Sequence, residues 1–260
     1  NMLVMKFGGA SVATPESFLK IAELVIERSL RFKKVVVVVS AMGNTTDQLL
    51  ELARKVNPNP PKREEDMLVS VGERISIALL AMAMARKGKE AVSFTGSQSG
   101  IITCENHSDA RIIDVKPKRL EEVLAKGQVG IVAGFQGVSR KGEITTLGRG
   151  GSDTSAVALA VALGAPKVEF YKDVEGVYNT DPKKDAKAQL LSQLSYADAL
   201  QIAENGAKVL HARCIQLAEK NGVQLAVHSF QKPAIAGTII GVECNRNSYT
   251  SYEEPICLRK

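Results

Sequence analysis

The chain alternates short apolar runs with longer segments in which apolar residues recur at helical spacing. Two of the runs are "KVVVVVS" at 34–40 and "VGIVAGF" at 129–135. Neither alternates apolar with polar residues, which is typical of strands in a parallel sheet that is covered on both faces. The pattern predicts further strands at 3–7, 91–95, 100–103, 167–174, 223–230 and 236–240.

Capping residues and glycines indicate where the intervening helices begin and end. Thr14-Pro15-Glu16 supplies the N-cap, the first-turn proline and the first-turn acid of a helix. A long helix is predicted from Asp66 to Lys87, where Gly88 stops it. Others are predicted after "GNTTD" through 56, at 117–126, directly after the glycine pair at 150–151, at 195–205 and at 208–221, with a hairpin turn at 141–142. Strands that alternate with helices throughout predict an α/β fold with a mostly parallel sheet.

Composition limits the classes of partner. Of the 260 residues 45% are hydrophobic, only 5% are aromatic, and tryptophan is absent, so a base-stacking surface is not expected. The net charge of +6 is spread among acids, as in "KREED" at 62–66, which argues against nucleic acid and fits a small anionic substrate. No apolar run approaches a membrane span and no signal peptide is visible, so we expect a cytoplasmic protein with no membrane partner. The four cysteines at 104, 214, 244 and 257 lack metal spacing and are expected to be reduced.

The stretch "LGRGGSDTSAVALAVALGA" at 147–165 places charge and glycines before an apolar helix. Gly150 and Gly151 would let the backbone approach a ligand, and the helix N-terminus attracts negative charge. Arg149 is suited to hold a carboxylate or phosphate with two hydrogen bonds. The alternative is that Ser152 or Asp153 caps the helix, which explains neither the arginine nor the second glycine.

A second anion cradle is predicted at the first strand–helix turn. Gly8 and Gly9 follow the strand, and Lys6 would place an ammonium group beside them. The alternative is a strand-end lysine that reaches water beside a tight turn. The turn contains neither a P-loop nor a dinucleotide-binding glycine motif.

The helix segment "SVGERIS" at 70–76 contains a glycine and an acid. A glycine inside a helix costs about 1 kcal/mol relative to alanine, so we expect another part of the chain to lie against Gly72. Glu73 is a candidate acceptor for a substrate ammonium group, and the alternative is an exposed helix acid. The histidines at 107, 211 and 228 have no metal spacing and are interpreted as structural or surface residues. No hydrolase nucleophile motif is present in the sequence.

Taken together, the chain resembles the aspartate kinases of the amino acid kinase family over nearly its whole length. The matching segments are "KFGGAS", "VVVVSAMGNTTDQLL", "SVGERIS", "TGSQSGIIT", "GFQGV", "TTLGRGGSDTSAVALA", "YKDVEGVYNTDP" and "GAKVLH". The resemblance implies a three-layer αβα sandwich, with a catalytic domain at 2–241 divided into an aspartate-binding lobe at about 2–145 and a nucleotide-binding lobe at about 146–241. It also implies ATP with Mg²⁺, transfer of the γ-phosphoryl group to the β-carboxylate of L-aspartate, and a homodimer.

The resemblance further implies roles for individual residues. Lys6 and Asp153 are implied to be catalytic, and the metal would be held through the ATP phosphates with no direct protein ligand. The implied aspartate contacts are Ser40, Thr45, Thr46, Glu73, Arg149, Gly150, Gly151 and Ser152. The implied ATP contacts are Lys6, Gly8, Gly9, Lys172, Asp173, Tyr178, Lys183 and Lys208.

The sequence departs from the family pattern in three places. Ala10 stands where a hydroxyl residue is usual, and Ala212 stands where proline is common. Residues 242–260 are too few to form the regulatory ACT modules of this family, which would suit either a catalytic domain cut from a longer protein or a stand-alone form. We therefore expect no inhibition of this chain by lysine or threonine. The rival functions are a kinase of the same fold that acts on N-acetylglutamate, glutamate or a nucleoside monophosphate, and a catalytically silent sensor of ATP or aspartate.

Overall fold

A computed structural model of the protein describes residues 1–206, 209–235, 237–241 and 250–255. Its helices are α1 (Pro15–Ser29), α2 (Thr45–Val56), α3 (Lys62–Val69), α4 (Val71–Arg86), α5 (Lys118–Ala125), α6 (Gly151–Leu163), α7 (Tyr196–Glu204) and α8 (Ala212–Asn221). Its strands are β1 (Met2–Phe7), β2 (Lys34–Val39), β3 (Ala91–Phe94), β4 (Ile101–Thr103), β5 (Ile112–Val115), β6 (Val129–Ala133), β7 (Gln136–Ser139), β8 (Ile144–Thr146), β9 (Lys167–Lys172), β10 (Gln193–Leu194), β11 (Gln224–Ser229) and β12 (Thr238–Ile240).

The main sheet has eight strands in the order β10-β12-β11-β9-β1-β2-β6-β3. Only the β11–β12 pair is antiparallel, so the predicted mostly parallel sheet is confirmed. The predicted hairpin is β7–β8, and it belongs to a separate four-stranded sheet of order β5-β4-β7-β8. Strands β5 and β10 lie in segments that were predicted to be, or to border, polar loops.

Alternation along β1 separates the two faces of the main sheet. Leu3, Met5 and Phe7 pack in one apolar cluster with residues of α1 and α4. Val4 packs in the other cluster with residues of α5, α6 and α8. Since side chains alternate along a strand, helices cover both faces and the three-layer αβα architecture is confirmed. Lys6 has the same parity as Val4, which directs its side chain to the α6 face.

The helix predicted from Asp66 to Lys87 begins earlier, at Lys62, and is divided at Ser70. The chain forms α3 and α4, which meet at Ser70. The carbonyl of Ser70 accepts a hydrogen bond from Gln136 Nε2 at 2.8 Å, which ties the junction to β7. Lys62–Arg86 passes a length and composition test for crossing a membrane, but half of its most apolar window is buried inside the fold. Core helices of globular proteins pass the same test, so this result is weak evidence for a membrane span.

Two of the four cysteines are described, and both Cys104 and Cys214 are free thiols. The other two, at 244 and 257, lie outside the described residues. The predicted helix at 208–221 is described from Ala212, where the His211 side chain accepts from Arg213 N and caps α8.

Candidate active site

The carboxyl ends of the central strands bring three candidate positions side by side. In the parallel register Phe7 pairs with Val39, and Val39 pairs with Ala133. Ser40 N donates to the Phe7 carbonyl at 3.1 Å, and Gly134 N donates to the Val39 carbonyl at 3.0 Å. The residues that follow β1, β2 and β6 therefore form one edge, which is where open α/β sheets bind ligands.

At this edge two lysines share one carboxylate. Lys6 Nζ lies 2.7 Å from Asp153 Oδ1, and Lys172 Nζ lies 3.0 Å from Asp153 Oδ2. Lys6 comes from β1 and Lys172 from the adjacent β9, while Asp153 lies in the first turn of α6. We call Lys6, Asp153 and Lys172 the charged cluster. The alternative of Lys6 as a strand-end lysine that reaches water is wrong, because its side chain is only 5% exposed.

The electrostatics of the charged cluster favour a further anion. Burial alone would raise the pKa of Asp153, but the charges of Lys172 and Lys6 outweigh it and lower that pKa to about 2. Burial lowers the pKa of Lys6, an effect that Asp153 opposes and Lys172 reinforces. The charged cluster contains two lysines and one aspartate, so its formal charge is positive. The net positive charge lies beside Gly8, whose hypothetical Cβ would sit 3.4 Å from Lys6 Nζ.

The N-terminus of α6 has no side-chain cap. The alternative interpretation of Ser152 or Asp153 as the cap is therefore wrong, and the Asp153 carboxylate is directed to the lysines. The N-cap position is Gly150, with φ of 70° in the left-handed region that favours glycine. The backbone N–H groups of the first turn of α6, together with the helix dipole, give the site a second source of positive potential.

The glycines at both cradles are also required by packing within the chain. A Cβ on Gly150 would lie 2.6 Å from His211, and one on Gly151 would lie 2.8 Å from Leu147. A Cβ on Gly9 would lie 2.9 Å from the carbonyl oxygen of Gly43. From the sequence, these glycines were explained by the close approach of a ligand to the backbone. The structure shows a second reason, which is that neighbouring residues leave no room for a side chain.

Glu73 is buried at the start of α4, so its interpretation as an exposed acid is wrong. Burial raises its pKa to about 8, against weaker opposing hydrogen bonds that include Gln136 Nε2 at 3.5 Å. The expected neighbour of Gly72 is Ala41, whose Cβ would lie 2.8 Å from an added Cβ, with Thr45 next to it. This packing brings Glu73 to the segment that follows β2. A cationic group of a ligand beside Glu73 would stabilise the ionised form of its carboxyl group.

The remaining predicted aspartate contacts are Thr45, Thr46, Ser152 and Arg149. Thr45 and Thr46 begin α2, and the Thr45 hydroxyl donates to the Met42 carbonyl at 2.6 Å. Ser152 packs near Gly134, where an added Cβ would lie 3.1 Å from Ser152 Cβ. Arg149 is exposed and lines a cavity of about 680 Å³ that Lys6 and Asp153 do not line. The structure therefore does not bring Arg149 into contact with the charged cluster.

The predicted ATP contacts beyond β9 are brought together only in part. Asp173 follows Lys172 and is exposed. The Tyr178 hydroxyl lies 3.4 Å from Glu175 Oε2, and exposed Lys183 is tied to its own loop by its backbone N–H. No hydrogen bond or ion pair among the described residues joins Tyr178 or Lys183 to the charged cluster. Lys208 lies outside the described residues.

Sequence reasoning missed two buried charged residues that hold the glycine-rich loop. Asp66 accepts from Thr146 N at 3.1 Å, from Thr146 Oγ1 at 2.5 Å and from His107 Nδ1 at 2.7 Å. The mixed-charge run "KREED" at 62–66 gives no sign that its last member is buried, and only the helical register of α3 could have indicated that Asp66 points inward. Arg213 donates to the carbonyls of Leu147 and Arg149, and nothing in the spacing of α8 singles it out.

No group of three or more His, Cys, Asp or Glu side chains that could hold a metal ion occurs in the part of the chain that the structure describes. Both oxygens of Asp153 are engaged by lysines. A divalent cation at this edge would therefore depend on ligands from a bound phosphate compound.

Comparison with known proteins gives consistent results. The family model described as the amino acid kinase family matches residues 1–229. A curated aspartokinase from Bacillus sp. (strain MGA3) is 49% identical over 243 residues, which cover 94% of this chain and 59% of the relative. The chain thus spans about three fifths of the length of that relative.

Two solved structures resemble this structure closely. Aspartate kinase from Synechocystis matches with a TM-score of 0.85 and 44% identity, over 98% of this chain and 42% of that one. E. coli aspartokinase III in complex with aspartate and ADP matches with a TM-score of 0.83 and 27% identity, over 95% of this chain and 65% of that one. The sequence and the fold therefore point to one set of relatives.

Proposed function

Since this chain belongs to the amino acid kinase family, we propose that it transfers the γ-phosphoryl group of ATP to the β-carboxylate of L-aspartate. The products are 4-phospho-L-aspartate and ADP, and the reaction begins the route to lysine, threonine and methionine. The name of the Bacillus relative, at 49% identity, supports this activity, as does the aspartate and ADP bound by the E. coli relative.

The observation that carries the proposal is the charged cluster at the carboxyl edge of the sheet. A carboxylate acceptor with a pKa near 4 is already ionised at neutral pH, so the reaction needs no general base. It needs two mutually repelling anions to be held in line while charge on the transferring group is stabilised. Lys6, Lys172 and the uncapped N-terminus of α6 provide that positive potential.

The proposed roles of Lys6, Lys172 and Asp153 follow from their positions at this edge, and the other roles rest on the family resemblance. Lys6 and Lys172 contact the transferring phosphoryl group, while Asp153 holds the two ammonium groups in place. Gly8 and Gly9 lie at the ATP phosphates. The proposed aspartate contacts are Ser40, Thr45, Thr46, Glu73, Arg149, Gly150, Gly151 and Ser152, and the proposed nucleotide contacts are Asp173, Tyr178, Lys183 and Lys208.

Mg²⁺ fits this site when it is carried by ATP. Asp153, the carboxylate of the charged cluster, has both oxygens engaged by lysines, so the nucleotide phosphates would supply the metal's ligands. When bound, the metal neutralises phosphate charge. The protein residues then hold the nucleotide and position the acceptor.

An acceptor panel tests the proposal. The protein is incubated with ATP, Mg²⁺ and hydroxylamine together with L-aspartate, N-acetylglutamate or glutamate, and acyl phosphate is trapped as the hydroxamate. ADP release is measured in parallel with a nucleoside monophosphate. We expect hydroxamate with aspartate alone, since Glu73 and Arg149 fit a free amino group and a carboxylate.

The rival functions give different results in the same panel. Product with N-acetylglutamate, glutamate or the nucleotide alone would identify a different kinase of this fold. ATP binding without ADP release for any acceptor would favour the sensor. An Asp153→Asn protein serves as the control for contaminating kinases.

We further propose a cytoplasmic homodimer. The free thiols of Cys104 and Cys214 support a reducing compartment. Val71, Ile75 and Met82 are exposed at helical spacing on α4, which supports a covered apolar face. Sedimentation equilibrium tests the dimer, and a monomer at tens of micromolar protein would contradict it.

A further inference from the structure

The loop that carries Arg149 connects β8 to α6 and spans residues 147–150. Asp66 fixes its first end through two hydrogen bonds to Thr146. Gly148 and Gly150 both have positive φ and contribute no side chains to the loop. Leu147 is fully buried, whereas the Arg149 side chain is exposed and lines a cavity of about 680 Å³.

Arg213 adds side-chain hydrogen bonds to the carbonyl oxygens of this loop. This residue in the first turn of α8 is 8% exposed. Its Nη1 donates to the carbonyls of Leu147 and, at 3.4 Å, of Arg149. Its Nη2 donates to the Ala110 carbonyl at 2.6 Å. One guanidinium group therefore binds both the loop and the segment that precedes β5.

Glu253 fixes the orientation of that guanidinium group. Its Oε1 accepts from Arg213 Nε, and its Oε2 accepts from Arg213 Nη2 at 2.9 Å. The backbone of Glu253 also pairs with Ile112, with its N–H donating to the Ile112 carbonyl at 2.9 Å. All five N–H donors of Arg213 thus have an acceptor, which is the full capacity of a guanidinium group.

We propose that Arg213, oriented by Glu253, is a positioning residue that sets the place of Arg149 for the carboxylate-bearing acceptor. The inference rests on the proposed function for the identity of the acceptor. Arg213 does not touch substrate in this account. It acts through the carbonyl oxygens of Leu147 and Arg149, so its loss displaces the backbone from which the Arg149 side chain extends.

Lysine cannot replace arginine in this position. An ammonium group has three donors on one atom, whereas the acceptors here surround a planar group on several sides. Arg213→Lys therefore keeps the charge and loses most of the loop contacts. Glu253→Gln keeps the size of the partner and removes its charge, which weakens the orientation of Arg213.

The kinetic test compares Arg213→Lys and Glu253→Gln with wild type. We expect the KM for aspartate to rise about tenfold or more in Arg213→Lys, and less in Glu253→Gln. The KM for ATP stays within about threefold of wild type in both. Arg28→Lys is the matched control, because Arg28 forms a comparable pair with Glu169 at 3.2 Å and contacts no part of the loop.

A second readout does not depend on catalysis. Amide hydrogen exchange of peptides that cover 145–152 is compared in the same proteins without ligand. We expect exchange several-fold faster than wild type in Arg213→Lys and Glu253→Gln, with β2 unchanged and with no effect of Arg28→Lys.

The two readouts separate the possible failures. Unchanged exchange at 145–152 and an unchanged KM for aspartate in both variants would overturn the positioning role. An equal rise in both KM values would also overturn it, since a general loss of structure would explain that. If the wild-type protein has no activity toward aspartate but exchange at 145–152 is faster in both variants, the positioning role is supported and the proposed acceptor is rejected.

Discussion

Asp153 lies between two ammonium groups, with Oδ1 2.7 Å from Lys6 Nζ and Oδ2 3.0 Å from Lys172 Nζ. The carboxylate offsets part of the repulsion between the two lysine side chains, which lie close together. A net positive charge is left at the edge of the sheet where β1 and β9 end. A transferring phosphoryl group is negatively charged, so it would neutralise the remaining positive charge of the cluster.

Replacement of Lys6 by alanine should reduce turnover by about a hundredfold or more, because one preorganised charge near the phosphoryl group is lost. Asp153 keeps Lys172 as a partner, so the protein should still fold. Steady-state ADP release with saturating ATP and aspartate measures the effect. Lys167→Ala is the control, since Lys167 begins β9 at the opposite end of the strand. Near-normal turnover in Lys6→Ala would contradict the assigned role.

Replacement of Asp153 by asparagine should destabilise the protein most at neutral pH. The pKa of Asp153 is lowered to about 2, so its ionisation stabilises the fold above pH 4 and this stabilisation is lost as pH falls through 2. The depression from 3.8 to about 2 corresponds to about 2 kcal/mol. Urea unfolding at pH 7, 5, 4 and 3 should show the difference between wild type and Asp153→Asn shrinking below pH 4. A constant difference across this range would be evidence that Asp153 is not paired as described.

The arrangement of the main sheet could be predicted from the sequence, for a simple physical reason. Unbroken valine runs such as 35–39 indicate strands covered on both faces, and their alternation with helices leaves few topologies. The position of Lys6 at a strand end could also be predicted. Local patterns could not identify its partner, because Asp153 is far away in sequence and was equally suited to cap α6. Only the family resemblance implied a role for Asp153 beside the lysine.

Replacement of Arg149 by alanine should raise the KM for aspartate by at least tenfold, with little change in the KM for ATP, because a bidentate contact to a substrate carboxylate is lost. Arg111→Ala is a matched control, since Arg111 lines the same cavity but pairs with Asp109 at 3.0 Å. Initial rates over a matrix of both substrates separate the two constants. An effect mainly on ATP would reassign Arg149 to the nucleotide.

The KM for aspartate should fall as pH rises from 6 to 8. Glu73 has its pKa raised to about 8 by burial, so it is mostly protonated at pH 6 and must lose its proton to accept an ammonium group. Measurement at half-unit intervals with saturating ATP should give a dependence that levels off above pH 8. Glu73→Gln should have a high KM with no such dependence. The same slope in wild type and Glu73→Gln would exclude Glu73 as its source.

The supports of the Arg149 loop could not be predicted from sequence patterns. Asp66 and Arg213 are buried charges that act through long-range hydrogen bonds to backbone atoms at 146, 147 and 149. Local propensity and periodicity carry no information about such contacts. Burial of Glu73 was equally invisible, because α4 is apolar on nearly every side and offers no clear outer face.

The most direct test of the account is a crystal structure of the protein with L-aspartate, Mg²⁺ and a non-hydrolysable ATP analogue. We expect the γ-phosphate within hydrogen-bond distance of Lys6 and the β-carboxylate of aspartate in line with it, with the aspartate amino group at Glu73. Aspartate or the analogue bound away from the edge formed by Gly8, Ser40 and the start of α6 would contradict it.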